Sequence, residues 1–293
     1  MGPGLTVAID SAALLAHDFG ATRQHYTERD AILYALGVGL GRDPIDPADL
    51  AFLDERTLAV LPTFAVTLAS PGMWLRDPGF GIDFGRLVHI AQDATFHAAL
   101  PPSTEIVGTA RVASLADRGP DRGAELVVER YISEAATGRA LCSLRQTLLL
   151  RGDGGYGGAP PVRSSAIAPD HAPDHITQVT QVTLSPRAAL IYRLSGDWNP
   201  LHLDPQAAQA AGFERPIMHG LGVYGTVAAA LCRALGRSPL ALRRLACRFS
   251  GIVMPGAVLD LRIWDFGNHY VFDATVDGRR ALDQGLLELC EDL

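Results

Sequence analysis

A strongly periodic helix followed by alternating strands is the feature that most constrains the fold of this chain. The apolar positions Leu221, Tyr224, Val227, Ala228, Leu231 and Leu235 recur at helical spacing after Gly220. Apolar and polar residues then alternate over 245–250, 259–263 and 270–276, and a turn at Asp277-Gly278 leads to a last strand near 286–289. A long helix followed by an antiparallel meander predicts an α+β unit whose sheet wraps around the helix.

The first half of the chain repeats this plan with a weaker helix signal. A helical segment is predicted over 26–41, and strands are predicted over 104–116, 124–133 and 140–150. Residues 151–176 are dense in Gly and Pro and lack apolar periodicity, which is typical of a linker. We therefore predict one domain over 1–150 and a second over 177–293, opening with a strand at 177–184.

Composition limits the classes of protein that this chain can represent. The 293 residues are 48% hydrophobic, enough for a sizeable core, but no run approaches the ~20 apolar residues of a membrane span. The net charge of −7 argues against a nucleic-acid partner, and all 25 basic residues are arginine, which suggests a GC-rich bacterial genome. Four scattered cysteines (Cys142, Cys232, Cys247, Cys290) and an N-terminus unlike a signal peptide predict a cytoplasmic protein with reduced thiols.

The segment that follows the strand at 177–184 carries an acid and an imidazole five residues apart. On a continuous helix Asp197 and His202 would point about 140° apart, but Pro200 disfavours helix at Asn199 and bends the chain. The two side chains can then converge and divide the roles of general acid and general base. A helix cap followed by an ordinary loop histidine would leave a similar short pattern.

A glycine at the start of the predicted long helix adds a second element. Gly220 would open that helix with free backbone N–H groups and the positive end of the helix dipole. Such a position suits a developing oxyanion. An acid/base pair followed by a glycine-opened helix is more specific than either element alone.

These segments resemble the MaoC-like family, the R-specific enoyl-CoA hydratases. The family signature is matched by Ser195-Gly196-Asp197-Trp198-Asn199-Pro200-Leu201-His202 and by Ile217-Met218-His219-Gly220-Leu221. The first half has matching landmarks in Tyr34-Ala-Leu-Gly37, Leu61-Pro62-Thr63-Phe64 and Arg151-Gly152. The resemblance covers nearly the whole chain and is closest to the two-domain form of the family.

The resemblance implies a double hot-dog fold and reversible addition of water to a trans-2-enoyl-CoA, giving the (3R)-3-hydroxyacyl-CoA. Asp197 and His202 would hold the water, with the assignment of acid and base left open. Asn199 would orient the imidazole or the water, and the Gly220 N–H would bind the thioester oxygen. No cofactor and no metal are expected, since coenzyme A is part of the substrate.

In the first half the corresponding chemistry is missing. Aligning Tyr34–Gly39 with Tyr192–Asp197 puts Gly39 at the acid and Pro44 at the imidazole. One active site per chain is therefore predicted, with the first domain accommodating the acyl tail between the two halves. His89 and His97 have no obvious acid partner and are interpreted as satisfied or surface histidines.

Other candidates carry less weight. Arg243, Arg244 and Arg248 could bind the phosphates of coenzyme A, although solvated surface arginines fit the pattern equally well. Asp170 to His175 holds two acids and two histidines, but the run is broken by proline and is a poor metal site.

Three alternatives in function stay open at this stage. The chain could be a dehydratase acting on carrier-protein-bound thioesters, or one acting on steroid-CoA thioesters. A non-catalytic acyl-CoA-binding subunit is the third. No membrane partner is expected, and a homodimer, the acyl chain length and the physiological direction are left open.

Overall fold

The computed structural model describes residues 9–161 and 175–290. The strands are β1 Ala21–Tyr26, β2 Leu87–Phe96, β3 Thr104–Asp117, β4 Ala124–Glu134, β5 Ala140–Leu150, β6 Gln178–Thr183, β7 Leu242–Phe249, β8 Val258–Asp265, β9 Tyr270–Val276 and β10 Arg279–Leu289. The α-helices are α1 Ser11–Leu15, α2 Glu28–Gly37, α3 Pro47–Leu50, α4 Ala188–Tyr192, α5 Pro205–Ala210 and α6 Gly220–Ala234. Short 3-10 helices cover Pro62–Thr67, Trp74–Arg76, Pro78–Phe80, Phe84–Arg86, Arg193–Ser195, Pro200–His202 and Pro239–Ala241.

The strands of the described residues form one antiparallel sheet in the order β1-β3-β4-β5-β2-β7-β10-β9-β8-β6. The first five belong to the first half of the chain and the last five to the second half. β2 and β7 join the halves, with Ala94 opposite Leu245 in the register. Both residues are fully buried in a core that draws side chains from both halves. The two halves therefore share a hydrophobic core as well as a sheet.

The helices confirm the predicted plan. α6 runs over 15 residues with its apolar side buried against the sheet, as its periodicity predicted. The helix predicted in the first half, α2, has 10 residues and packs against α4, with the ring centroids of Tyr34 and Tyr192 5.9 Å apart. The residues that aligned in the sequence thus face each other across the junction of the halves. The shorter α2 explains the weak helix signal in the first half.

Most predicted strands are confirmed, and two were missed. β3, β4 and β5 lie where predicted, whereas β1 and β2 carried no recognised signal. β10 begins at Arg279, well before the predicted 286, because irregular pairing between Asp283 and Leu286 interrupts its alternation. A bulge hides the period of two on which strand prediction depends.

The start of the predicted linker is attached to the first half. The Asp117 carboxylate accepts hydrogen bonds from the backbone N–H groups of Gly119, Gly155 and Gly157, at 2.7–2.8 Å. Of the Asp170–His175 candidate, only His175 belongs to the described residues. Within 9–161 and 175–290 no helix is both long and apolar enough to cross a bilayer.

Candidate active site

Asp197 and His202 converge, as the bend at Pro200 predicted. Together with His219, their side-chain ligand atoms all lie within 4.8 Å of one another. Gly196 makes the bend possible, because its φ of 112° lies in a region that residues with a Cβ rarely adopt. A single 3-10 turn then brings His202 back toward Asp197. The Asp197 carboxylate is exposed, whereas His202 is only 8% exposed.

Asn199 has a local contact that the sequence did not indicate. Its side-chain Oδ1 accepts a hydrogen bond from the Leu201 N–H at 3.1 Å and so caps the 3-10 turn that carries His202. The Asn199 N–H donates in turn to Asp197 Oδ1 at 3.1 Å. Asn199 thus links both members of the pair through the loop. Its direct bond to imidazole or water stays a prediction.

The imidazole of His202 is held in one tautomer. Its Nδ1–H donates to the carbonyl oxygen of Ile217 at 2.9 Å, which leaves the Nε2 lone pair free. Burial lowers the pKa of His202 below its usual value, while the bond to Ile217 and the charge of Asp197 act in the opposite direction. His202 is therefore a neutral base whose charged form Asp197 stabilises.

His219 is a member of the cluster that the sequence analysis quoted in a motif but did not assign a role. Its ring stacks on His202 with centroids 3.7 Å apart, and its Nε2 lies 3.3 Å from the backbone carbonyl of Asp197. Burial, followed by the proximity of His202, lowers the pKa of His219 to about 4. The residue is neutral and fixes the spacing of the pair. The sequence did contain a signal for this role, because His219 lies in the motif Ile217–Leu221 that matches the family signature.

The same three side chains are close enough to hold a metal ion. However, the planes of the two imidazoles lie only 28° from parallel, so their in-plane lone pairs run side by side. This geometry suits proton transfer better than tetrahedral metal ligation.

Gly220 begins α6, as predicted, at the edge of this cluster. The preceding His219 has extended backbone angles (φ −61°, ψ 133°), and the first intrahelical bond runs from the Val223 N–H to the His219 carbonyl. Among the described residues the Gly220 N–H has no backbone partner, as expected at a helix start. A donor with the helix dipole behind it therefore lies beside the acid/base pair.

The first half contributes to the site through a strand that the sequence analysis missed. His89 lies on β2, and its ring meets the Phe249 ring edge-on at 5.0 Å. Phe249 in turn lies 3.5 Å from where a Cβ on Gly220 would be. Burial lowers the pKa of His89 to about 4, and the nearby Asp197 charge partly opposes this shift. His89 is satisfied by the Ala91 carbonyl, as predicted, but it borders the site. His97 is exposed and contacts Ser143.

The phosphate role of Arg243, Arg244 and Arg248 stays a prediction, and the structure shows that two of the three are already paired with carboxylates. Arg244 makes two bonds to Asp93, at 3.0 and 2.7 Å, and Arg248 makes two bonds of 2.6 Å to Asp283. Both side chains point to the face of β7 opposite to Phe249, because alternate residues of a strand face opposite ways. One edge of each guanidinium, formed by Nε and Nη2, is paired with a carboxylate. Arg243 is exposed at one end of the sheet.

The acidic limb of the kcat/KM profile for hydration should lie below pH 6.5. A folded-state pKa below the ordinary value of His means that His202 stays neutral near pH 7 and is protonated only at lower pH. Activity should fall as pH decreases through that depressed pKa, because the base is lost. His97→Gln is the matched control, and it should leave the limb unchanged. An acidic limb above pH 7 would contradict the role of a desolvated His202.

A ten-stranded antiparallel sheet with helices packed against it, and an acid/base cluster at the start of the longest described helix, defines an α+β protein built from two similar halves. The MaoC like domain profile matches residues 168–284, and the MFE-2 hydratase 2 N-terminal domain profile matches residues 24–152. The peroxisomal enoyl-CoA hydratase 2 of Arabidopsis thaliana is 36% identical over 288 residues, covering 92% of each chain. This chain belongs to the MaoC-like family, in the two-domain form with a hydratase 2 N-terminal domain.

Solved structures agree with this assignment. A MaoC-like dehydratase from Phytophthora capsici superposes with a TM-score of 0.81 and 26% identity, covering 97% of this chain and 100% of that chain. A Mycobacterium tuberculosis protein described as having a double hot-dog fold reaches a TM-score of 0.56 at 15% identity, covering 94% and 98%. The predicted double hot-dog fold is thereby confirmed.

Proposed function

We propose that this protein adds water reversibly to a trans-2-enoyl-CoA, giving the (3R)-3-hydroxyacyl-CoA, with Asp197 and His202 as the catalytic pair. The convergence of the two side chains beside the start of α6 is the observation that carries the proposal. The relationship to an enoyl-CoA hydratase 2 supports the reaction class. The intact pair favours catalysis over a non-catalytic acyl-CoA-binding subunit.

The tautomer of His202 supports an assignment that the sequence left open. With Nδ1–H bonded to the Ile217 carbonyl, Nε2 can accept a proton from water as the water oxygen attacks C3 of the enoyl thioester. The Asp197 carboxylate accepts a hydrogen bond from the second O–H of the water, which stays on the oxygen as the product hydroxyl, and its charge stabilises the imidazolium that forms. The imidazolium then returns its proton to C2. One water is added, and both side chains end in their starting states.

The electrons displaced from the double bond collect on the thioester oxygen. The Gly220 N–H would bind this oxygen, and the bond strengthens as the enolate forms. A donor of this kind contributes ~10²–10³ in rate. Proton transfer contributes a further ~10²–10⁴.

The direct test is hydration of trans-2-enoyl-CoA esters from crotonyl-CoA upward, followed by loss of enoyl absorbance, with chiral analysis of the product. We expect the (3R) product and no loss of activity with a metal chelator. A (3S) product, or thioester hydrolysis in place of hydration, would contradict the proposal. If only carrier-protein thioesters were turned over, the dehydratase alternative would replace it.

A cytoplasmic location, a bacterial source and a role in fatty acid metabolism stay predictions from the sequence. The homodimer also stays a prediction.

A further inference from the structure

A line of polar side chains crosses the inner face of the sheet in the first half. Alternate residues of a strand face the same side, so Arg130 on β4 shares a face with Val128 and Ile132. Both of these neighbours are buried in the core. Gln146 on β5 is opposite Val128 and Gln92 in the register. This polar line, comprising Arg130, Gln146, Gln92 and His89, separates the two hydrophobic clusters of that half.

Arg130 is unlike the arginines on the opposite face of the neighbouring strands β3 and β5. Arg111 and Arg145 both pair with Glu129, at 2.5 and 2.8 Å. Arg130 donates from Nη2 to the Val66 carbonyl at 2.7 Å, and its Nε is buried without a partner. Among the described residues no carboxylate pairs with it. A guanidinium inside the fold with one neutral partner has strong unused capacity to bind an anion.

The surroundings of Arg130 connect it to the active site. Burial lowers the pKa of Arg130 to about 10, so the side chain stays charged near neutral pH. The charges of Arg130 and Asp197 both act on the pKa of His89 and on that of Tyr192, after the larger effect of burial. Both of these residues are therefore close enough to Arg130 and to Asp197 to be affected by the two charges.

The spacing suits an acyl chain of medium length. β4 is separated from β7, which carries Phe249 beside Gly220, by β5 and β2. Three strand spacings amount to about 14 Å across the sheet, and Arg130 is level with Leu245, four residues from Phe249 along β7. The Cα atoms of Arg130 and Phe249 therefore lie on the order of 20 Å apart along the sheet, and the long Arg130 side chain can span part of that distance. β2 lies between β5 and β7 in the middle of the sheet, yet its first four residues, Leu87 to Ile90, are partly accessible to solvent.

We propose that the acyl chain of the substrate carries a carboxylate several bonds from the thioester, and that Arg130 binds this carboxylate inside the first half. The proposal rests on the proposed function and narrows its substrate class. A simple alkyl chain would leave the guanidinium with the Val66 carbonyl as its neutral partner and the buried Nε without one. A carboxylate gives it a bidentate partner in a region of low dielectric.

The test compares two substrates that differ only at the far end of the chain. The mono-CoA thioester of trans-2-decenedioic acid should have a kcat/KM about tenfold or more above that of trans-2-decenoyl-CoA. The methyl ester of the diacid thioester removes the charge and keeps the oxygens. If the ester equals the acid, Arg130 binds a neutral oxygen and the carboxylate assignment is wrong.

The variants locate the effect. Arg130→Met should abolish the preference for the diacid, and it should fold with unchanged or higher Tm, because it removes an unpaired buried charge. Arg130→Gln serves the same purpose if the Met variant does not fold. Arg145→Met on the opposite face is the matched control and should keep the preference.

Crotonyl-CoA separates failure of this proposal from failure of the proposed function. It has no tail to reach Arg130, so its hydration should be the same in wild type and Arg130→Met. Hydration of crotonyl-CoA with equal kcat/KM for both ten-carbon tails would overturn the inference and leave the proposed function intact. Hydration of none of these thioesters would overturn both.

Discussion

Replacing Asp197 by Asn, or His202 by Ala, should lower the kcat for enoyl-CoA hydration by ~10³-fold or more. Each change removes one of two groups that hold the same water. Asp197→Asn keeps the shape but loses the charge that stabilises the imidazolium, and His202→Ala removes the proton acceptor. The double variant should be about as slow as either single variant, because residues that act as a unit are not additive.

The controls distinguish lost chemistry from lost fold. Asp197 is exposed, so its Asn variant should keep the wild-type Tm. His202→Ala should lose about 1–3 kcal/mol, because it leaves the buried Ile217 carbonyl without its donor and removes the ring that stacks on His219. Asp121→Asn, at an exposed turn of the first half, is the matched charge control and should be fully active. A double variant far slower than both single variants would show that the residues act on separate steps.

Gly220→Pro should lower kcat by ~10²–10³-fold with a much smaller change in CoA-ester binding. Proline has no N–H, so the variant deletes the proposed oxyanion donor. The fold should survive, since proline suits the first position of a helix and His219 already has the extended backbone that precedes proline. Single-turnover kinetics, together with binding of a saturated acyl-CoA, separate the two effects.

Gly220→Ala is the matched control for the proline variant. It keeps the N–H, and its Cβ would meet the Phe249 ring at 3.5 Å, an ordinary contact. We expect Gly220→Ala to retain most of the wild-type kcat. If alanine and proline were equally damaging, crowding against Phe249 would explain the loss, and the donor role of Gly220 would be rejected.

The local part of the site could be predicted because its causes are local. The convergence of Asp197 and His202 follows from the bend at Pro200 within one loop. The start of α6 at Gly220 follows from a helical period that begins there. β3, β4, β5 and the strands after α6 were recognised because each buries one face, and alternation then appears directly in the residue order.

Contacts between distant segments had no such signal. β2 was missed because a strand in the middle of a sheet has little alternation between exposed and buried residues, and its bulge near His89 shifts the register. The ion pairs of Arg244 and Arg248 depend on Asp93, 151 residues away, and on Asp283. The sequence showed three neighbouring arginines but not the distant carboxylates that form ion pairs with two of them.

The sequence by itself determined the family, the acid/base pair and the helix that starts beside it, because these depend on residues within one short stretch of chain. The tertiary structure alone decided the tautomer of His202, the stacking of His219 on it and the approach of His89 from the first half. It also placed Arg130 on the inner face without a carboxylate, whereas Arg145 on the outer face has Glu129. Which charges are paired depends on strands brought together by the fold, and the order of residues does not contain that information.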